Sequence, residues 1–172
     1  FAKFAGRDLL DSLQLAAQIG PRQRVLDVGS GGGVPGLVLA IVRPDLRMTL
    51  CESTQKKARV LQSMVETLRL PVTVAACRAE ELLQLQTFDV LTARAVAPLG
   101  KLLYWLAPHW DAFDELLLIK GKSWVEERAE ARHRGLLKPL ELRKVASYQS
   151  PIGESFVLRI WRSDSAADEG RE

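Results

Sequence analysis

Short runs of apolar and β-branched residues alternate with stretches of helical periodicity along most of the chain. Arg24-Val25-Leu26-Asp27-Val28 is a strand that runs into glycines, and Met48-Thr49-Leu50-Cys51-Glu52 is a second that ends on an acid. Positions 72–75, 88–93 and 115–120 predict a third, fourth and fifth strand, with helices between them over 35–43, 54–69, 79–84, 97–107 and 123–135. Near-continuous apolar strands separated by helices are what a parallel sheet covered on both faces requires. Positions 8–19 place Leu9, Leu10, Leu13, Ala16 and Ala17 on one face of a leading helix, closed by Gly20-Pro21.

After position 139 the rhythm changes: 140–149 and 155–161 are both strand-like, and only Ser150-Pro151-Ile152-Gly153-Glu154 separates them. That spacing predicts an antiparallel hairpin. Five parallel strands plus such a hairpin make an α/β, seven-stranded, mostly parallel sheet. This is the Rossmann-like arrangement of class I S-adenosylmethionine-dependent methyltransferases, whereas a plain dinucleotide-binding domain more often continues with another parallel unit. A length of 172 residues suits one domain. Residues 1–162 are expected to form it, with 1–20 leading in and 163–172 as a flexible acidic tail.

Composition narrows the class without choosing a chemistry. Hydrophobic residues at 47% and charged residues at 26% exclude a disordered or fibrous chain. No apolar run approaches the ~18–20 residues of a membrane span, so a soluble, cytoplasmic protein with no membrane partner is expected. The chain begins at Phe1 with no signal-peptide pattern, which predicts an upstream segment. The net charge of +3 divides into +6 over residues 1–162 and −3 over the last ten, so the body suits a phosphate-rich partner. Cys51 and Cys77 lack metal-ligand spacing and read as buried free thiols; no metal is expected.

Asp27-Val28-Gly29-Ser30-Gly31-Gly32-Gly33-Val34-Pro35-Gly36 is the most informative stretch. Glycines at the carboxyl end of a first strand let the backbone turn sharply and approach a ligand. The G-x-G-x-x-G formed by Gly31, Gly33 and Gly36 is by itself a weak signal, shared by nicotinamide and S-adenosylmethionine sites. Two features favour S-adenosylmethionine. The Asp27 carboxylate can reach a methionine ammonium or a water bound to it and would sit badly beside a pyrophosphate, and Pro35 removes an N–H that a diphosphate would use. Gly29, Ser30, Gly31 and Val34 are the loop's candidate contacts. Glu52 suits a ribose under either reading.

Arg78-Ala79-Glu80-Glu81 follows the third strand, where an adenine would lie, and makes Ala79 and Glu80 candidates. Arg94 ends the fourth strand and points toward the cleft. That strand end, Thr92-Ala93-Arg94-Ala95, lacks the [Asn/Asp]-Pro-Pro-aromatic element of exocyclic-amine methylation. Neither cysteine stands where the nucleophile of pyrimidine C5 methylation belongs. A ring nitrogen with a free lone pair, such as guanine N7, attacks a sulfonium methyl directly, so orientation and electrostatics suffice and no general base is expected. His109 and His133 read as surface histidines. A small-molecule or protein methyltransferase remains an alternative, and a nicotinamide-binding module is a more remote one.

Arg7-Asp8-Leu9-Leu10-Asp11-Ser12, the loop from Asp27 to Gly36, Ile41-Val42-Arg43-Pro44, Arg78-Ala79-Glu80-Glu81, Ala93-Arg94-Ala95 and Leu118-Ile119-Lys120-Gly121, in this order, resemble the RsmG (GidB) family. The resemblance spans Arg7 to about Arg162. It implies methylation of guanosine N7 in bacterial 16S ribosomal RNA, with S-adenosylmethionine as cofactor. The partner would be 16S rRNA, the 30S subunit or its assembly intermediate, with no stable protein partner evident. Gly29, Val34, Ala79, Glu80 and Arg94 fall on the family's cofactor-contacting positions and Glu52 on its ribose-binding acid. Arg94, Lys120 and Lys122 would face the RNA, with Arg94 positioning the substrate. The chain departs from the family in lacking further N-terminal helices, in Asp8 where a histidine is expected, and in Ser155 where an arginine is common.

Overall fold

A computed structural model describes residues 4–163, so the tail from position 164 lies outside the described residues. A π-helical turn, Phe4–Asp8, leads into α1, Leu9–Ala16. The alternating units follow as β1 (Arg24–Val28), α2 (Gly36–Val42), β2 (Arg47–Cys51), α3 (Gln55–Leu68), β3 (Thr73–Ala75) and α4 (Ala79–Leu83). Then come β4 (Phe88–Arg94), α5 (Leu99–Leu106), a 3-10 turn (Ala107–Ala112), β5 (Phe113–Lys120), α6 (Trp124–His133), β6 (Leu140–Ser150) and β7 (Gly153–Arg162). The strands form one seven-stranded sheet in the order β3-β2-β1-β4-β5-β7-β6. The first five are mutually parallel, and β7 runs antiparallel to both β5 and β6, as the hydrophobic pattern predicts.

The five parallel strands read as apolar runs because both faces are covered. One face packs Leu26, Leu91, Leu116 and Leu158 against Leu99, Leu103 and Trp124 of α5 and α6. The other packs Val25, Leu50, Val90 and Leu117 against Leu15, Leu39 and Leu61 of α1, α2 and α3. Chain reversal between β1 and β4 opens a cleft at their carboxyl ends, which is where ligands bind in doubly wound sheets.

The leading helix differs from expectation. Leu13 is 43% exposed and Ala17 is exposed, while Asp11, Ser12, Leu15, Ala16 and Ile19 form the buried face. The helix is rotated because the Asp11 carboxylate turns inward to take hydrogen bonds from Tyr148 and Arg94. Hydrophobic periodicity alone cannot register a buried acid whose partners are remote in sequence. The hairpin turn is also tighter than predicted, with only Pro151 and Ile152 between the strands and Gly153 at φ +121.

Candidate functional site

The carboxyl ends of β1, β2, β3 and β4 surround a hollow of about 250 Å³ whose walls include Gly29, Cys51, Cys77, Ala79, Glu80 and Trp105. Gly29 takes φ +66, and a Cβ there would lie 2.9 Å from Cγ2 of Val96 on the opposite wall. Backbone geometry and space both require glycine, so the main chain itself forms this side of the hollow. Glu52, at the end of β2, accepts the Gly31 N–H at 3.0 Å and the Thr54 N–H at 2.8 Å. It thereby ties the loop to the start of α3. Burial raises its proton affinity, but the N–H donors of Thr54 and Gly31 outweigh this and hold the carboxyl below its ordinary range. An ionised carboxylate keeps acceptor sites beyond these two bonds, enough for a diol.

Asp27 lies beneath the loop rather than on the cleft wall, fully buried. Its Oδ1 accepts the Thr92 hydroxyl at 2.8 Å, while Oδ2 has no hydrogen-bond partner. Gly36 makes room for it, since a Cβ there would lie 2.6 Å from Oδ2. Burial pushes the Asp27 carboxyl up to about 6, against the lowering effect of Thr92 and Ser30. Spacing expects the carboxylate to reach an ammonium or a water bound to it; in the structure it lies under the loop backbone. Ser30 is likewise structural, its hydroxyl donating to the Asp27 backbone carbonyl at 2.9 Å. Val34 is half-buried just before α2. An under-solvated carboxylate beneath the loop and the ionised Glu52, buried next to Cys51 and Ser53 of the wall rather than lining it, suit a cationic nucleoside and oppose a diphosphate. These residues fit S-adenosylmethionine.

Across Ala95 and Val96 lies a second hollow, about 490 Å³, lined by residues including Arg7, Asp11, Arg94, Lys120, Lys122 and Glu154. Ala95, at the rim of this hollow and next to Val96 of the first, holds a left-handed φ of +53, a strained state for a residue with a side chain. Arg94 Nη1 donates to Asp8 at 2.6 Å and to Asp11 at 3.2 Å. Asp11 is 1% exposed and also accepts the Tyr148 hydroxyl at 2.7 Å. Burial, and next the Asp11 charge, push the Tyr148 hydroxyl above its ordinary range, so it stays a donor.

The expected RNA-facing cations separate on inspection. Lys120 turns inward, donating to the Ala97 carbonyl at 2.9 Å and to Glu127 at 2.7 Å, because Glu127 would otherwise be a carboxylate without a cation near the start of α5. Lys122 is exposed. Asp11, Glu127, Val96 and Trp105 line the two hollows and Tyr148 bonds to Asp11 behind them; all escape sequence reasoning, since none sits in a motif whose spacing implies a ligand. Two larger hollows, about 910 and 740 Å³, open at the amino ends of the strands, beside the Arg24–Asp89 and Arg159–Glu115 pairs. They lie away from the switch point and carry no chemistry. Among the described residues no group of three or more His, Cys, Asp or Glu side chains could hold a metal, and no helix is long and apolar enough to cross a membrane.

Known proteins agree with this geometry. Residues 1–154 match the family described as rRNA small subunit methyltransferase G, or GidB. The ribosomal RNA small subunit methyltransferase G of Rhodopirellula baltica is 55% identical over 150 residues, covering 87% of this chain and 64% of that protein. Its namesake from Sorangium cellulosum is 41% identical over 156 residues, covering 88% and 64%. The chain thus spans just under two thirds of the length of these relatives. In fold, TrmK of M. capricolum, solved with S-adenosyl-homocysteine, superimposes with a TM-score of 0.70 at 13% identity over 88% of this chain and 67% of that one. A dimethyladenosine transferase from Plasmodium falciparum gives 0.67 at 18% identity over 94% and 63%.

Proposed function

Because the chain belongs to the rRNA small subunit methyltransferase G family, we propose that it transfers the methyl group of S-adenosylmethionine to N7 of a guanosine in bacterial 16S ribosomal RNA. The observation that carries this reading is the pair of hollows that meet at Ala95 and Val96, one suited to a cationic nucleoside and one to a flat polar base. Glu52 would hold the ribose hydroxyls, Gly29, Gly31 and Val34 the methionine moiety, and Ala79 and Glu80 the adenine. The cofactor supplies an electrophilic methyl group on a cationic sulfur. Arg94 is the positioning group of the acceptor side, and its Nε and Nη2, which carry no hydrogen bond among the described residues, would donate to the guanine O6.

No proton moves, since the N7 lone pair forms the new bond as the carbon–sulfur bond breaks. The cation then passes from the sulfonium to the methylated purine. A strongly positive acceptor cavity would oppose that transfer. Here Arg94 is balanced by Asp8 and Asp11, and Lys120 by Glu127, which leaves the cavity near neutrality.

The test is calorimetry with S-adenosylmethionine followed by mass mapping of 16S rRNA after incubation with naked RNA, assembly intermediates or 30S particles. One N7-methylguanosine in one of these substrates is expected. Absence of cofactor binding, or methylation confined to small molecules or proteins, overturns the reading.

A further inference from the structure

The near-neutral acceptor cavity raises the question of where affinity for a polyanion resides. Of the +6 on residues 1–162, +5 lies in positions 120–162. On the flank of the sheet where α6 covers β6 there is a groove of about 390 Å³ lined by Arg128, Arg132, Lys138, Glu141 and three leucines. Among the described residues, Arg128, Arg132 and Lys138 have no acidic partner. Of the three acids on α6, Glu127 pairs with Lys120 and Glu130 with Arg134, while Glu126 does not line the groove.

The groove is built as well as charged. Of its cations, the Arg128 guanidinium rests over the Trp124 ring at 5.0 Å; outside the groove, the Lys144 ammonium rests over the Phe156 ring at 5.4 Å. Those two rings pack together with centroids 5.9 Å apart. Stacking fixes the cations on an apolar base and leaves their outer sides unpaired. Arg128 and Arg132 stand one helical turn apart, about 6 Å between Cβ atoms, on a helix whose first turn adjoins Lys122 and the acceptor cavity. Lys122 and Glu127 line the cavity and Arg128, Arg132 and Lys138 line the groove, so α6 joins the two.

We infer that this α6–β6 groove is the track for the phosphodiester backbone of the RNA beside the methylated nucleotide. It deepens the proposed function and rests on it: the acceptor cavity handles the base and the groove holds the strand. Charge complementarity selects the occupant, because unpaired, pre-positioned cations recover their desolvation cost with phosphates and gain nothing from a neutral peptide.

The double variant Arg132→Glu/Lys138→Glu tests it, as both side chains are exposed and bond to nothing in the fold. RNA affinity, read by anisotropy with a 16S rRNA fragment containing the target, is expected to fall at least about tenfold, and the slope of log Kd against log salt to shrink by roughly two. Cofactor affinity, Tm and turnover at saturating RNA stay at wild-type values. The control Lys56→Glu/Arg59→Glu places the same charge change on α3, at the other end of the sheet, and is expected to change Kd less than about threefold, as screened bulk charge does. Unchanged affinity and slope in the groove variant, or equal losses in both variants, overturns the groove while leaving methylation by the wild type intact. A wild-type protein that neither binds nor methylates RNA overturns the proposed function, and the groove with it.

Discussion

The two hollows that meet at Ala95 and Val96 are built by different physics. The cofactor side is mostly backbone: a left-handed Gly29, a Gly31 N–H held by Glu52, and a Gly36 that makes room for a buried carboxylate. Its parts lie within a few residues of β1 and β2. The acceptor side is a lattice of side-chain charges drawn from the ends of the chain, with Arg94 bonded to Asp8 and Asp11 more than 80 residues earlier and Asp11 to Tyr148 137 residues later. One side is rigid because the main chain can take no other shape. The other is rigid only while each charge keeps its partner, so substitutions should fail differently on the two sides.

The largest separation is expected at Glu52. Glu52→Ala removes two charge-assisted bonds to the Gly31 and Thr54 N–H groups along with the proposed ribose contacts, an expected loss of about 3 kcal/mol or roughly 100-fold in cofactor affinity. Calorimetry reads it, and an affinity within threefold of wild type would show that the loop holds its shape without the acid.

Arg94→Ala is the mirror experiment. Turnover is expected to drop about 100-fold at saturating cofactor while cofactor Kd moves less than about threefold. Asp11 is left a buried charge with fewer partners, so the variant also loses about 3 kcal/mol of stability in denaturant unfolding. Equal losses in cofactor binding and turnover would merge the two sides into one.

Asp27 probes the cofactor side through pH. Its carboxyl sits at about 6 in the fold against an ordinary 3.8, so the native state holds the proton more tightly than the unfolded chain. Stability therefore falls as pH rises through that interval, by about 3 kcal/mol in total, and is flat above it. Affinity for the cationic cofactor should move the opposite way, rising about tenfold as the carboxylate ionises. Urea unfolding and binding titrations across this range check both signs, and Asp27→Asn should abolish both slopes.

The contrast also explains what the sequence discloses. The strands, their parallel order and the glycine loop are legible because a doubly covered sheet demands continuous apolar runs and a strand-to-helix turn demands glycine, both local requirements. The same reasoning puts Leu13 and Ala17 on the buried face, where the structure exposes both, since the rotation of α1 is set by the bond of Asp11 to Tyr148 on a strand 137 residues away. Lys120 reads as a phosphate ligand in sequence, yet its charge is spent on Glu127 across a turn that motif order does not describe. Spacing predicts backbone shape well, and it predicts which charges remain unpaired poorly.

Asp8 offers the smallest and most discriminating change. It stands where the family pattern expects a histidine, and its carboxylate takes Arg94 Nη1 at 2.6 Å with a quarter of its own side chain exposed. Asp8→Asn keeps a side-chain oxygen to accept the Arg94 Nη1 hydrogen bond and Asp8 is the more exposed partner, so a loss of about 1 kcal/mol is expected and folding should be nearly unchanged. The Arg94 guanidinium still keeps Asp11, and so its position, but loses one of its two counter-charges. The acceptor cavity becomes more positive by one unit, which favours an incoming polyanion and disfavours the methylated, cationic purine. The two effects separate in kinetics: KM for RNA is expected to fall about threefold and kcat to fall by a similar factor, leaving kcat/KM close to wild type. A change in cofactor affinity instead would place Asp8 on the other side of Ala95 and Val96, and an unchanged KM and kcat would mean that Arg94 senses only Asp11.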